Sequence, residues 1–508
     1  MTITTEVFGE ILAKYFDRNL PARIGIGLSG GPDSMLVTYL LKEFNQQRSP
    51  RNRIEVHAIT IDHNYRRGST EEARSLTAQL EKWGVNHVVK TLDYGNVDPR
   101  TISNFEEVAR FKRYEAINAI CNEKAIPYVF LGHHNDDQVE TFIQRLQGNS
   151  SIYGLACTRA ISPLPTSKDL SPCESERSKP VHLARPLLSF DKSAIVEACE
   201  KYGVSFVTDI TNKDPNLTRR NYLRHLFNEI LPEMHSVNVE SGVSGKGFRF
   251  ASVLKNELSN SQGQCLDLVE SFESKADTLH RQLLAENKIW EEKQFGRLSL
   301  ELPAKCFLEP HNLVTSRFFY QMLYPYCTLK HYHWAYAKLE RNVMPQIEQF
   351  LSQKNNPLDS CSINMMNLMF RISKIENGSS LRIEISRAPL TRDEAKFETR
   401  VTLQDTWSKW VLFDQRFWLS LRSNARPMKV VQIVPYNHKS QSQVIDADLK
   451  RYTPVQINQS LNTLPVVVID GVVSAFPTLD LACPGVDIRW QMKENRFSYC
   501  NPKRFDSV

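Results

Sequence analysis

At 508 residues the chain is too long for one compact core, and roughly two to four domains are expected. Its 41% hydrophobic and 24% charged residues are those of an ordinary soluble globular protein, and no apolar run reaches the roughly 20 residues of a membrane-spanning helix. A net charge of +6 is compatible with an acidic partner such as RNA without requiring one.

The first stretch, Met1 to Leu20, has no apolar signal core, so secretion is not expected. Glu6, Glu10 and Asp17 also set it apart from an Arg/Ser-rich transit peptide. Ten cysteines run from Cys121 to Cys500 without a C-x-x-C pair, which argues against a zinc ribbon, an iron–sulfur cluster or a disulfide framework.

Strand and helix signals then alternate. Arg23–Leu28 reads as an apolar strand, followed by a turn and a helix opening at Asp33. Arg53–Ile61 is a second strand, and Ser69 with Glu72 forms a capping box before a helix that ends near Gly84. "HVVKTL", from His87, is a third strand, and a long helix from Asn104 precedes a fourth strand, Ile126–Gly132. The next helix, from Asp136, stops at Gly148. Such alternation implies a parallel sheet with crossover helices and a ligand at the carboxyl ends of the strands.

Pro163–Pro180 reads as a polar surface insertion, and His235–Phe248 as a linker. Val253 to about Gln353 reads as largely helical, and hairpins are expected from Ser362 onward, one turning at Asn377-Gly378. The expected division is a catalytic domain over 1–234, a linker over 235–252, a helical domain over 253–357 and an α+β domain over 358–508.

The stretch "GLSGGPDSML", from Gly27, carries the clearest chemistry. Gly25, Gly27 and Gly30 match G-x-G-x-x-G, but two of the three lie inside the strand, and no lysine follows as in a Walker loop. What remains is a loop whose Gly30 and Gly31 let backbone N–H groups approach an anion. Ser29 and Ser34 add hydroxyls, and a helix N-terminus after Pro32 points at the same place. Asp33 would repel a phosphate unless it holds a magnesium ion bridging phosphates; the alternative is a plain turn with Asp33 as helix N-cap.

Ser29-Gly30-Gly31-Pro32-Asp33-Ser34 resembles the PP-loop (pyrophosphatase-loop) signature of enzymes that adenylate a carbonyl oxygen and release pyrophosphate. "IDHNYRRGSTEEA", "EEVARFKRYEAI", "LGHHNDDQVETFIQRLQGNSSIYGL" and "ARPLLSFDKSAI…TNKDPNLTRRNYLRHLFNEILP" resemble motifs of the tRNA(Ile)-lysidine synthetases, from about Arg23 to Pro232. Asn64-Tyr65 departs from that family's usual Gly-Leu.

The resemblance implies a Rossmann-like α/β catalytic domain followed by a helical domain and a β-containing C-terminal domain. It also implies ATP and Mg2+ as cofactors, and isoleucine tRNA and free L-lysine as partners. On this reading Ser29, Gly30, Gly31, Pro32, Asp33, Ser34, Asp62, His63 and His133 bind ATP, with magnesium on Asp33. Asp33, Arg110, Arg113, Asp137 and Glu140 are the catalytic candidates, and Arg113 is preferred over Arg110 for the α-phosphate. His134, Asp136, Asn212, Arg219, Arg220, Asn221 and Arg224 are assigned to lysine or tRNA, with His225 beside them. Each has a plainer alternative: solvated helix arginines, a buried structural His63, Asp136 as an N-cap, or a zinc site at His133 and His134. A tRNA thiolase of the same superfamily is the nearest rival, and a non-catalytic RNA-binding relative a further one. The polar insertions and divergent C-terminal half suggest a eukaryotic chain, and by analogy a mitochondrial one. No membrane partner is expected, and the oligomeric state is left open.

Overall fold

The computed structural model describes residues 2–17, 19–62, 76–95, 101, 105–165, 171–172, 180–207, 218–231, 250–329, 332–353, 360–423, 430–437, 461–482 and 485–495. The chain divides into two compact units, chiefly Met1–Lys168 with Arg177–Val269, and Glu270–Tyr499.

The first unit is built on a six-stranded sheet. Its strands are β1 (Arg23–Gly27), β2 (Glu55–Asp62), β3 (Asn86–Thr91), β4 (Tyr128–Phe130), β5 (Ile161–Pro163) and β6 (His182–Ala184). Their order is β3-β2-β1-β4-β6-β5, and all neighbours run parallel except β5, which pairs antiparallel with β6. The helices are α1 (Thr5–Phe16), α2 (Pro32–Gln46), α3 (Thr77–Lys82), α4 (Phe105–Glu123), α5 (Asn135–Gln147), α6 (Lys192–Tyr202) and α7 (Arg219–His225).

Alternate strand residues face two separate cores, as strand geometry requires. Ile24, Ile26, Val56, Ala58, Phe130 and Ala184 pack with α1, α2 and α6 through Phe8, Leu12, Met35, Leu40 and Ile195. On the other face Ile59, Val129 and Leu183 meet Tyr114, Ile117 and Ile120 of α4. A sheet buried on both faces reads in sequence as short, nearly continuous apolar runs.

From β1 the chain builds outward through β2 and β3, then crosses back to place β4 on the other side of β1. The segments leaving β1 and β4 therefore lie side by side at the carboxyl edge, where such sheets open a crevice. The expected helix from Ser69 is described only over α3; its capping residues lie outside the described residues, as does most of the 235–252 linker.

A 36-residue helix, α8 (Phe250–Ala285), starts in the first unit and ends in the second. The 253–357 stretch is not uniformly helical, because two strands follow α8: β7 (Ile289–Glu292) and β8 (Arg297–Pro303). They join β9 (Ser360–Met365), β10 (Leu368–Ile375) and β11 (Ser380–Arg387) in the antiparallel order β7-β8-β11-β10-β9. Asn377 and Gly378 turn that hairpin, both at positive φ. Phe318 and Phe319 of α9 (His311–Met322) are buried, Phe319 edge-on to Phe370 of β10, so these aromatics serve the core.

The remainder forms two further antiparallel sheets. One holds β12 (Thr399–Thr402), β15 (Val430–Pro435), β16 (Pro465–Ile469), β17 (Val472–Phe476) and β18 (Leu481–Ala482). The other holds β13 (Val411–Phe413), β14 (Phe417–Ser423) and β19 (Val486–Met492).

Candidate active site

The loop after β1 has the shape its composition implies. Gly30 takes φ +81°, a left-handed conformation that strains any residue with a Cβ. Gly31 is the N-cap of α2, with Pro32 at its first position, so Asp33 and Ser34 lie in the first turn. The Ser29 N–H donates to the Ser34 hydroxyl at 3.2 Å, and the two hydroxyls stand 3.2 Å apart. The Ser34 hydroxyl in turn donates to the Gly31 carbonyl at 3.1 Å. The Ser29 hydroxyl also accepts from the Gly31 N–H at 3.4 Å, so the two serines tie the loop to itself. Asp33 is not the N-cap; its carboxylate accepts from Lys192 Nζ at 2.6 Å.

The segment after β4 presses directly on this loop. A Cβ on Gly132 would stand 2.7 Å from the Asp33 Cβ and 2.9 Å from the Ser34 nitrogen, contacts no folded chain tolerates. Glycine at 132 is what lets the two segments share the crevice. His134 then caps α5, and its N–H donates to the Asp137 carboxylate at 3.1 Å. Asp136 is thus not the cap: it accepts from the Lys192 backbone N–H at 2.8 Å and from Lys255 Nζ at 2.6 Å. Burial works against ionisation of Asp136, but the His134 and Lys255 contacts outweigh it and hold its carboxyl well below the usual carboxylate range.

His134 Nε2 lies 3.8 Å from Asp33 and 3.6 Å from Asp137. Burial pulls its pKa down, while Asp136, Asp137 and Asp33 raise it further, leaving a net rise. His133 behaves oppositely. Burial, with the charges of Arg185, Arg220 and Arg110, lowers it to about 4 against the pull of Asp137. The two adjacent histidines are therefore shifted in opposite directions.

α7 supplies the basic side of the cleft. Arg224 donates to Glu140 through Nε at 2.7 Å and through Nη2 at 3.2 Å, and reaches Asp137 at 3.3 Å. Arg220 lies 3.5 Å from Glu140 and donates to the Thr141 hydroxyl at 3.3 Å. Burial raises the Glu140 carboxyl despite the Arg224 contacts, whereas charges around Asp137 more than offset its burial and lower it. Asp137 and Glu140 do share a face of α5, with a fork of arginine laid across them. Asn221 is buried, its N–H donating to the Thr218 hydroxyl, while Arg219 is exposed.

A family model described as a PP-loop domain matches residues 4–234. A probable tRNA(Ile)-lysidine synthase of Schizosaccharomyces pombe is 27% identical over 403 residues, 78% of this chain and 77% of its own length. The tRNA(Ile)-lysidine synthases of Chlamydia muridarum and Zymomonas mobilis are 31% and 30% identical over 42% and 43% of this chain. The chain thus carries a PP-loop domain and is similar to tRNA(Ile)-lysidine synthases of bacteria and of Schizosaccharomyces pombe. It spans about three fifths of those bacterial relatives' lengths, 59% and 60%. A U34-tRNA thiolase from Methanococcus maripaludis is similar over 52% of this chain and 79% of its own, at 16% identity and a TM-score of 0.36.

The PP-loop domain and the named relatives together support an enzyme of the ligase class, and PP-loop proteins use ATP. Of the residues expected at its site, the cleft brings together Ser29, Gly30, Gly31, Pro32, Asp33, Ser34, His133, His134, Asp136, Asp137, Glu140, Arg220 and Arg224. Asp62 is buried at the end of β2, while His63 and Asn212 lie outside the described residues. Arg110 and Arg113 both lie over the Tyr114 ring, and the charge of Arg110 is also felt at His133 and Arg185. Three cations went unread in the sequence: Arg185, Lys192 and Lys255. The first two stand in "ARPLLSFDK", a motif whose residues offered a signal; Lys255, on α8, had none. Among the described residues no group of three or more His, Cys, Asp and Glu is arranged to hold a metal ion, and a zinc site at His133 and His134 finds no support.

Proposed function

We propose that this enzyme joins free L-lysine to C2 of the wobble cytidine of an isoleucine tRNA with a CAU anticodon, in two steps. The observation that carries the reading is the pressing of Gly132 against Asp33 and Ser34, which sets an anion loop and an acid-rich helix face to face. The names of the relatives support the choice of substrate.

In the first step the cytidine C2 carbonyl oxygen attacks the α-phosphorus of ATP, the bond to the β-phosphate oxygen breaks, and pyrophosphate leaves. The Ser29–Ser34 loop and the N-terminus of α2 would hold the departing pyrophosphate. Asp33 fits a magnesium ion: a single carboxylate beside phosphate oxygens and water is a usual set for it. Bound there, the ion would supply charge neutralisation at the phosphates. Arg110 would stabilise charge growing on the α-phosphate.

In the second step the lysine ε-amine attacks C2, the C2–O bond breaks and AMP leaves. The amine's proton passes to a carboxylate, and Glu140, raised by burial, is suited to accept it. Arg224 must give up part of its hold on Glu140 for that to happen. An organellar location and tRNA contacts by the second unit remain parts of this reading.

The decisive test is incubation with ATP, labelled lysine and isoleucine tRNA bearing a CAU anticodon. The label is expected on the tRNA, with stoichiometric AMP and pyrophosphate. Label that stays off the tRNA while a sulfur donor yields thiolated tRNA sinks the reading.

A further inference from the structure

Arg185 follows β6 and is buried, with 5% of its surface exposed. Its Nη1 donates to the Arg159 carbonyl at 2.8 Å and to the Ser162 hydroxyl at 3.0 Å, and no carboxylate pairs with it among the described residues. Those two bonds pin the guanidinium, and its Nε–H points at His133 Nδ1 from 3.2 Å. Guanidinium only donates, so the imidazole atom it meets must carry a lone pair. The ring hydrogen of a neutral His133 then has one place left, Nε2.

We propose that Arg185 is a positioning residue: it fixes His133 as the neutral tautomer with hydrogen on Nε2. His133 thereby becomes a permanent hydrogen-bond donor to an acceptor atom of the nucleotide. The nucleotide half of this inference rests on the reading above; the tautomer does not. His133 directly follows Gly132, whose backbone packs on Asp33 and Ser34 of the phosphate loop.

The groups around His133 agree. Arg110 from α4, Arg185 from the segment after β6 and Arg220 from α7 all oppose a proton on it, as burial does, and Asp137 of α5 alone favours one. With a midpoint near 4, the ring stays neutral from pH 5 to 8 and does not act as the base for the lysine amine. A buried arginine lacking a carboxylate is a costly arrangement, and the fixed tautomer is what it secures.

The test uses the full-length chain labelled with 15N-histidine, with His133→Gln assigning the resonance. Long-range 15N–1H couplings are expected to show hydrogen on Nε2 and no protonation between pH 5 and 8. Hydrogen on Nδ1, or a midpoint between pH 5.5 and 7, overturns the proposal without any arginine variant. The second measurement repeats the coupling spectra in Arg185→Met and Arg185→Lys, each checked by circular dichroism, and follows pyrophosphate release. In Arg185→Met burial, Arg110 and Arg220 still oppose a proton on His133, so the ring is expected to stay neutral while hydrogen appears on Nδ1 as well as Nε2, and pyrophosphate release to fall. Arg185→Lys, which keeps a cationic donor, is expected to restore hydrogen to Nε2 alone. A folded Arg185→Met that keeps hydrogen on Nε2 alone also overturns the proposal. A wild type that keeps the tautomer yet releases no pyrophosphate brings down the functional reading instead.

Discussion

Asp33 is a carboxylate set among anion-binding groups, and Lys192 is its counter-ion at 2.6 Å. A carboxylate at that point repels phosphate unless a cation accompanies it, so nucleotide arrival must replace or share the lysine contact. Asp33→Ala is therefore expected to abolish pyrophosphate release while leaving the fold intact. Release persisting in that variant would remove Asp33 from the reaction. Glu140 makes the opposite case, a carboxylate whose partners are fixed: it is buried, and Arg224 and Arg220 both turn to it. Glu140→Gln keeps the shape and removes the charge, leaving two arginines without it. Because both arginines are about one-third exposed and can regain water, the cost should be held to about 1–3 kcal/mol. Denaturant unfolding measures it, and lysine transfer should fall in the same variant with pyrophosphate release retained.

The first half of α8 acts on the site as an element, reaching the start of α5. Lys255 binds Asp136, the Ser259 hydroxyl donates to Asn135 Oδ1 at 2.9 Å, and Gln262 donates to the Ala156 carbonyl at 2.7 Å. Asp136 has a lowered folded pKa, so its contribution is present above the unfolded value and is lost as pH falls through the folded one. Lys255→Met should therefore cost about 1–3 kcal/mol at pH 7. A Lys255→Met protein as stable as the wild type at pH 7 would show that the ion pair contributes nothing. Along the same helix, Gly263 has open space where a Cβ would go, and Gly263→Ala should stabilise by about 0.5–1 kcal/mol. The loop after β1 and the opening of α5 were legible in the sequence because each packs its chemistry into a few neighbouring residues. Lys192 and Lys255 were not, because they meet Asp33 and Asp136 from 159 and 119 residues away. Lys192 had only its place in "ARPLLSFDK" to mark it, and nothing local distinguishes Lys255 from a solvated lysine. Asp136 as the N-cap of α5 was one of two readings the sequence left open; the cap is His134, and Asp136 meets Lys192 and Lys255.

At the scale of the molecule, the parallel sheet was legible from its alternating elements, while the boundary of the second unit was not. A continuous helix crosses Val269, so no break in periodicity marks the change, and β7 and β8 hide after it because their partner β11 lies far along the chain. Each unit nonetheless owns its core. The first has the two faces of its sheet. In the second, Arg416 is fully buried, paired with Asp414 at 2.8 Å, donating to the Thr463 carbonyl at 2.6 Å and lying over the Phe417 ring. Asp414 is shared with Arg387, itself bound to the partly exposed Glu394, so four charges settle one another with both arginines buried. Removing one member of such a buried set typically costs about 3–5 kcal/mol, since the charges left behind are uncompensated. Separate cores are not obliged to melt together. Arg416→Ala should therefore pull one calorimetric transition down and leave the other in place, and Leu40→Ala, in the core under α2, should do the reverse. ATP affinity should follow Leu40→Ala and ignore Arg416→Ala. If both variants shift a single shared transition, the two units fold as one, and stability is held in common along α8.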